Sequence, residues 1–342
     1  MGPGLKSGLR AACAPTAALL LALALNSWAA PRAAGAAHTF FSPAATARRL
    51  LVRFNNSPGQ AGARAEASAL PAPVRFREAE GRGLLVRAWV NGQGPYDFAV
   101  DTGAGATIIS RRVAAEARVP VYADRPVRLS GLSGARGGTA REASLRTLAV
   151  GDAGNRLAGR GLVVVADSLP ADLDGVLDPT QSFAPLGYVI DFPTETIRAF
   201  DPRQSPLRIP DVPPGGAVVA WLSDGETRRP FVQLAEGRRA LIDTGSGFGL
   251  AVTPEAARAL GVLGGRGRER DGGVIDLGRG RVGSRRVAPA TVHIGPLVLR
   301  GVPTDLLDGA SSGSPVLLGR DALRPFELTF DPVNRLVRFV PR

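Results

Sequence analysis

From Val74 onward, apolar residues come in short runs closed by turn formers, a pattern that predicts many brief strands and few helices. Leu84-Leu85-Val86-Arg87-Ala88-Trp89-Val90 reads as a strand, Asn91-Gly92 as a hairpin turn, and Tyr96 to Val100 as the return strand. The return strand runs directly into Asp101-Thr102-Gly103. The same unit recurs later: Phe231-Val232-Gln233-Leu234, the turn formers Glu236-Gly237, then Ala240-Leu241-Ile242 leading into Asp243-Thr244-Gly245. Helical signals are confined to Ser110 to Ala117 and Pro254 to Leu260, one segment after each Asp-Thr-Gly. Thr253-Pro254-Glu255 reads as an N-cap followed by proline in the first helical position.

A second landmark extends the repeat. Ile190-Asp191-Phe192-Pro193-Thr194-Glu195-Thr196-Ile197-Arg198 aligns without a gap on Phe330-Asp331-Pro332-Val333-Asn334-Arg335-Leu336-Val337-Arg338. Asp101 lies 90 positions before Asp191, and Asp243 lies 88 before Asp331. Two halves of nearly equal length carry the same landmarks in the same order, which implies an internal duplication. Pro202, Pro206, Pro210, Pro213 and Pro214 crowd the stretch between them. The expected organisation is a leader over 1–37, an Ala/Arg-rich linker or pro-segment over 38–73, a first lobe over 74–201, a connector over 202–216 and a second lobe over 217–342.

The leader has the form of an export signal. Lys6 and Arg10 precede an apolar run from Ala17 to Leu25, and small residues follow at Ser27, Ala29 and Ala30. That run is short for a bilayer span, so the mature chain is expected outside the cytoplasm, secreted or periplasmic, with no integral membrane span. The sole cysteine, Cys13, would leave with the signal, which excludes disulfides, thiolate catalysis and cysteine metal sites from the mature chain. With only His38 and His293, a histidine-based metal centre is not expected, and no cofactor is. The net charge of +12 comes almost wholly from arginines spread along the chain. Aromatic residues make up 6% and do not interleave with basic clusters, so no nucleic-acid partner is expected.

Without metal, thiol or catalytic histidine, peptide hydrolysis has one familiar route: two carboxylates close enough to share a proton. The ionised one takes a proton from a bound water while the protonated one hydrogen-bonds the scissile carbonyl. Like charges in contact cannot both ionise, so such a pair titrates in separated steps. Asp101 and Asp243 each end an apolar strand that delivers them to a dry site. Thr102 and Thr244 can hydrogen-bond across the interface. Gly103 and Gly245 let the backbone turn amides toward a carboxylate, and Ala104 and Ser246 are small enough for a crowded pair. One Asp-Thr-Gly is a weak signal; two, each in register with a second landmark, are a strong one.

The segment Val86-x-Ala88-x-Val90-Asn91-Gly92-x-Gly94-Pro95-Tyr96-x-Phe98-x-Val100-Asp101-Thr102-Gly103-Ala104 resembles bacterial retropepsin-like aspartic proteases, and two such halves in one chain resemble the pepsin-like arrangement. The resemblance implies a mainly-β, two-lobed molecule with a β-barrel-like lobe from each half. It also implies a cleft for extended peptide at their junction and a flap hairpin above it. It places the catalytic aspartates on Asp101 and Asp243 and the loop-bracing threonines on Thr102 and Thr244. The family's second signature, two apolar residues then glycine, falls on Leu317-Leu318-Gly319; the first half has Val176-Leu177-Asp178 there. The first flap is expected over Val127 to Leu145, which lacks the flap tyrosine of pepsin-like enzymes. These departures keep open a non-enzymatic peptide-binding relative beside the endopeptidase, and the arginine excess leaves an anion-binding envelope protein as a third class. With both halves in one chain, a monomer is expected.

Two competing motifs fit less well. Gly309-Ala310-Ser311-Ser312-Gly313 matches a serine-hydrolase elbow but has no downstream histidine and reads as a loop. Gly278-Arg279-Gly280-Arg281-Val282-Gly283 matches a dinucleotide fingerprint, yet Pro289 stands where its helix should continue, so it reads as the second flap or an adjoining hairpin. His293 reads as a strand residue.

Overall fold

The computed structural model describes residues 24–25 and 70–342, except 135–137, 160, 168, 170–172, 224–227, 236, 263–273, 276–280 and 312. Most of the export signal and of the linker, Glu236, and the glycines at 278 and 280 therefore lie outside the described residues.

Two sheets repeat one another. In the first half the strands run in the order Gly83–Val90, Gln93–Val100, Gly175–Leu177, Ile108–Ser110, Gly161–Ala166, Gly138–Leu145, Val121–Ser130. In the second half the order is Phe231–Gln233, Arg239–Asp243, Val316–Gly319, Leu250–Val252, Leu297–Asp308, Arg281–Ile294, Val274–Ile275. Pairing directions match too: Gly175–Leu177 is parallel to Gln93–Val100, as Val316–Gly319 is to Arg239–Asp243. The inner strands are buried on both faces, which is why Phe98-Ala99-Val100 and Leu241-Ile242 are continuous apolar runs and not alternating ones.

Local sequence sets the connections. Asn91 and Gly92 both take positive φ (51° and 84°), the requirement of the tight hairpin between Gly83–Val90 and Gln93–Val100. Helix Arg111–Glu116 starts where the Ser110 hydroxyl accepts the Val113 N–H, and helix Pro254–Ala259 where Thr253 accepts the Ala256 N–H. Asp191 accepts the Thr194 N–H, and Asp331 those of Val333 and Asn334, so the two aligned landmarks are the same capped turn.

A third sheet belongs to both halves. Its order is Ala217–Ala220, Leu336–Pro341, Phe326–Asp331, Gly187–Asp191, Thr196–Phe200, Val74–Arg75, so the halves meet along Phe326–Asp331 and Gly187–Asp191. Tyr188 stacks on Phe330 across that seam, with centroids 4.6 Å apart, and Trp221 packs edge-on against the same ring at 6.1 Å. Burying each such ring stabilises the seam by about 2–3 kcal/mol. The seam fixes one half against the other and so sets how their Asp-Thr-Gly loops meet.

Candidate active site

Both Asp-Thr-Gly segments lie where a central strand ends. Asp101 leaves Gln93–Val100 with its N–H bonded to the Leu177 carbonyl at 2.9 Å. Asp243 ends Arg239–Asp243 opposite Gly319. Asp101, Asp243, Thr244 and Ser246 are 0% exposed and Thr102 is 1% exposed.

The threonines hold the two loops in a reciprocal grip. The Thr102 N–H donates to the Thr244 hydroxyl at 3.1 Å, and the Thr244 N–H donates to the Thr102 hydroxyl at 3.1 Å. Each hydroxyl then donates across the junction, Thr102 to the Ile242 carbonyl at 2.6 Å and Thr244 to the Val100 carbonyl at 2.9 Å. Four buried bonds therefore join residues some 140 positions apart.

The glycines bring the carboxyls together. A Cβ on Gly103 would lie 2.9 Å from the Asp243 carboxyl carbon, and one on Gly245 would lie 2.5 Å from that of Asp101. Each loop thus passes flush against the other loop's carboxyl. The Asp101 Oδ1 accepts the Gly103 N–H at 2.7 Å, and the Asp243 Oδ1 accepts the Ser246 N–H at 3.1 Å. The remaining oxygens, Asp101 Oδ2 and Asp243 Oδ2, are buried and accept no N–H or hydroxyl from outside the pair. They are the atoms a shared proton and a bound water would engage.

Burial dominates the electrostatics. It pushes the Asp101 carboxyl well above the usual carboxylate range; the Asp243 charge adds to this, the Gly103 N–H opposes it, and the hydrogen bond with Asp243 and then, more weakly, the Asp178 charge add again. Burial also raises Asp243, opposed by its hydrogen bond to Asp101, the Ser246 N–H, the Arg320 charge and the Gly245 N–H. A pair of this kind holds one proton over a broad pH range.

Ala104 is fully buried, and the Ser246 carbonyl accepts the Arg320 N–H. Asp178 is buried and caps helix Pro179–Ser182, its Oδ1 accepting the N–H groups of Thr180 and Gln181. In the second half no side chain fits that position, because a Cβ on Gly319 would meet the Phe248 carbonyl oxygen at 2.4 Å.

Arg320 carries a role that the strand pattern does not disclose. Its guanidinium donates to the carbonyls of Thr244 and Gly245 at 2.8 and 3.0 Å, and pairs with Glu78 at 3.0 Å. The second half's loop is thereby braced from strand Arg77–Ala79 of the first. The only sequence signal was its place directly after Leu317-Leu318-Gly319.

The two competing motifs resolve as structure. Ser311 and Ser314 grip the turn that follows strand Val121–Ser130: the Ser311 N–H and the Ser314 hydroxyl both donate to the Leu132 carbonyl, at 2.9 and 2.5 Å. Leu132 itself packs among Phe231, Leu241, Phe248, Val282 and Leu317 of the second half. A strand, Val316–Gly319, follows this loop where a nucleophile elbow would need a helix. From Arg281 the glycine-rich motif continues as strand Arg281–Ile294, which also carries His293, and no phosphate-binding helix follows.

Residues 86–177 match the model of the aspartyl protease family. Over that segment, which is less than half of the chain, the sequence is similar to the retropepsin-like aspartyl proteases. The match contains Asp101 and ends one residue before Asp178; the second half, with Asp243, lies beyond it. No curated protein matches the chain.

Proposed function

We propose that the chain is an aspartic endopeptidase that hydrolyses peptide bonds with a water activated between Asp101 and Asp243. One observation supports this above the rest: the two carboxyls are packed against each other's glycine loop, with one oxygen on each that no group outside the pair engages. The ionised aspartate takes a proton from the water as its oxygen bonds to the scissile carbonyl carbon. The protonated aspartate hydrogen-bonds the carbonyl oxygen and delivers its proton there. On collapse of the tetrahedral species the aspartate that took the water proton passes it to the amide nitrogen, the C–N bond breaks, and one hydroxyl returns its proton to the other aspartate as the carbonyl re-forms. Thr102, Thr244 and the two glycines hold this geometry in advance, so little reorganisation accompanies the reaction.

The basic start and apolar run of the leader support export, to the periplasm or beyond. Both halves of the site come from one chain, which supports a monomer acting on peptide or protein.

The test is cleavage of a mixed peptide library across pH by the purified chain and by Asp101→Asn and Asp243→Asn. Each single variant should lose at least about 100-fold in kcat/KM, the lower end of what a positioned acid or base supplies. Wild-type cleavage by either variant would refute the assignment. Extended-peptide binding without hydrolysis at any pH would favour the non-enzymatic relative.

A further inference from the structure

Asp178 is a buried carboxyl that the peptidase reading leaves without a task. The parallel register pairs Val100 with Leu177, so Asp178 follows on the neighbouring strand beside Asp101, as Gly319 lies beside Asp243. The bond from the Asp101 N–H to the Leu177 carbonyl fixes that neighbourhood. The two aspartates of the pair therefore have unlike surroundings: a third carboxyl beside Asp101, and beyond Asp243 a buried guanidinium bonded to the carbonyls of Thr244 and Gly245.

Building on the peptidase reading, we propose that Asp178 is a positioning residue for the shared proton, holding it on Asp101 so that Asp243 is the partner that receives the proton of the water. A negative charge at Asp178 opposes loss of the proton from Asp101, while the Arg320 charge favours a carboxylate at Asp243. The charged and titratable groups facing Asp178 are Asp101, Tyr188 of strand Gly187–Asp191, and Arg228 and Arg229. Burial pushes the Asp178 carboxyl up to about 7, with the Gln181 and Thr180 N–H groups and the two arginines acting against it. It is therefore neutral in acid and becomes charged as the medium approaches neutrality. Asp178 extends the one-proton form of the pair toward alkaline pH.

The experiment compares pH profiles of kcat/KM for the full chain, Asp178→Asn and Asp178→Gly. Asparagine caps a helix as well as aspartate does, so the first variant keeps the Pro179–Ser182 cap while losing the charge. Both variants should show the alkaline limb displaced to lower pH by about half a unit or more, with the acid limb unmoved. A merely structural role would lower activity at every pH and leave the limbs in place; that result overturns the proposal. Titration of ¹³C-labelled aspartate carboxyls, assigned by Asp101→Asn and Asp243→Asn, needs no turnover. If no chain cleaves peptide, the peptidase reading fails, and this titration still decides the proposal: an Asp101 curve unmoved by Asp178→Asn refutes it.

Discussion

Replacing Thr102 by valine preserves the side-chain shape and removes one hydroxyl from the grip between the two loops. That hydroxyl accepts the Thr244 N–H at 3.1 Å and donates to the Ile242 carbonyl at 2.6 Å. Thr244 and Ile242 are both 0% exposed, so water cannot take its place. A buried polar group left unpaired costs about 1–3 kcal/mol, so two orphaned groups predict a loss of about 2–6 kcal/mol. Against a total stability of about 5–15 kcal/mol, that is a large share. Thr102→Ser keeps the hydroxyl and sheds one methyl, at a cost of about 1 kcal/mol. Denaturant unfolding of the full chain measures both, and cleavage of a peptide substrate follows the geometry of the pair in the same samples. Thr102→Val should lower the unfolding midpoint far more than Thr102→Ser and should lose activity even where it is folded. Equal destabilisation by the two substitutions would refute the idea that the reciprocal bonds, rather than packing alone, hold the loops together.

Gly245→Ala should cost more activity than stability, because the added Cβ would fall 2.5 Å from the Asp101 carboxyl carbon and displace it; activity matching wild type in a folded variant would contradict the close approach. Arg320→Met should destabilise by about 2–6 kcal/mol, since it orphans the two buried carbonyls of Thr244 and Gly245 while Glu78 keeps Arg324 as a partner, and thermal unfolding with Arg320→Lys as the control measures it. Asp178 also makes stability depend on pH. Its folded-state value, near 7 against an ordinary 3.8, is raised, so its contribution is complete below the lower figure and is lost as pH rises through the upper one. The loss is up to roughly 4 kcal/mol between about pH 4 and pH 8. Asp178→Asn should therefore gain on the wild type as pH climbs over that range; a constant difference in unfolding free energy would exclude the effect.

The duplicated chain of short strands could be read from residue order because the relevant physics is local. Alternation and apolar runs set strand positions, Asn91-Gly92 sets a turn, and Ser110 and Thr253 set helix starts. Two Asp-Thr-Gly segments in register with Asp191 and Asp331 then pointed to one paired site. Other features depend on contacts between distant positions. Nothing local to Arg320 indicates that its guanidinium would reach Thr244, Gly245 and Glu78, or that Leu132 would pack into the second half under Ser311 and Ser314. Asp178 was visible in the sequence as a departure from glycine, but whether it distorted its loop could not be read there. In the fold it caps a helix and stands next to Asp101. Residue order determined which groups were available; the seam between Gly187–Asp191 and Phe326–Asp331 decided which of them meet, because long-range strand pairing sets distances that no local pattern encodes.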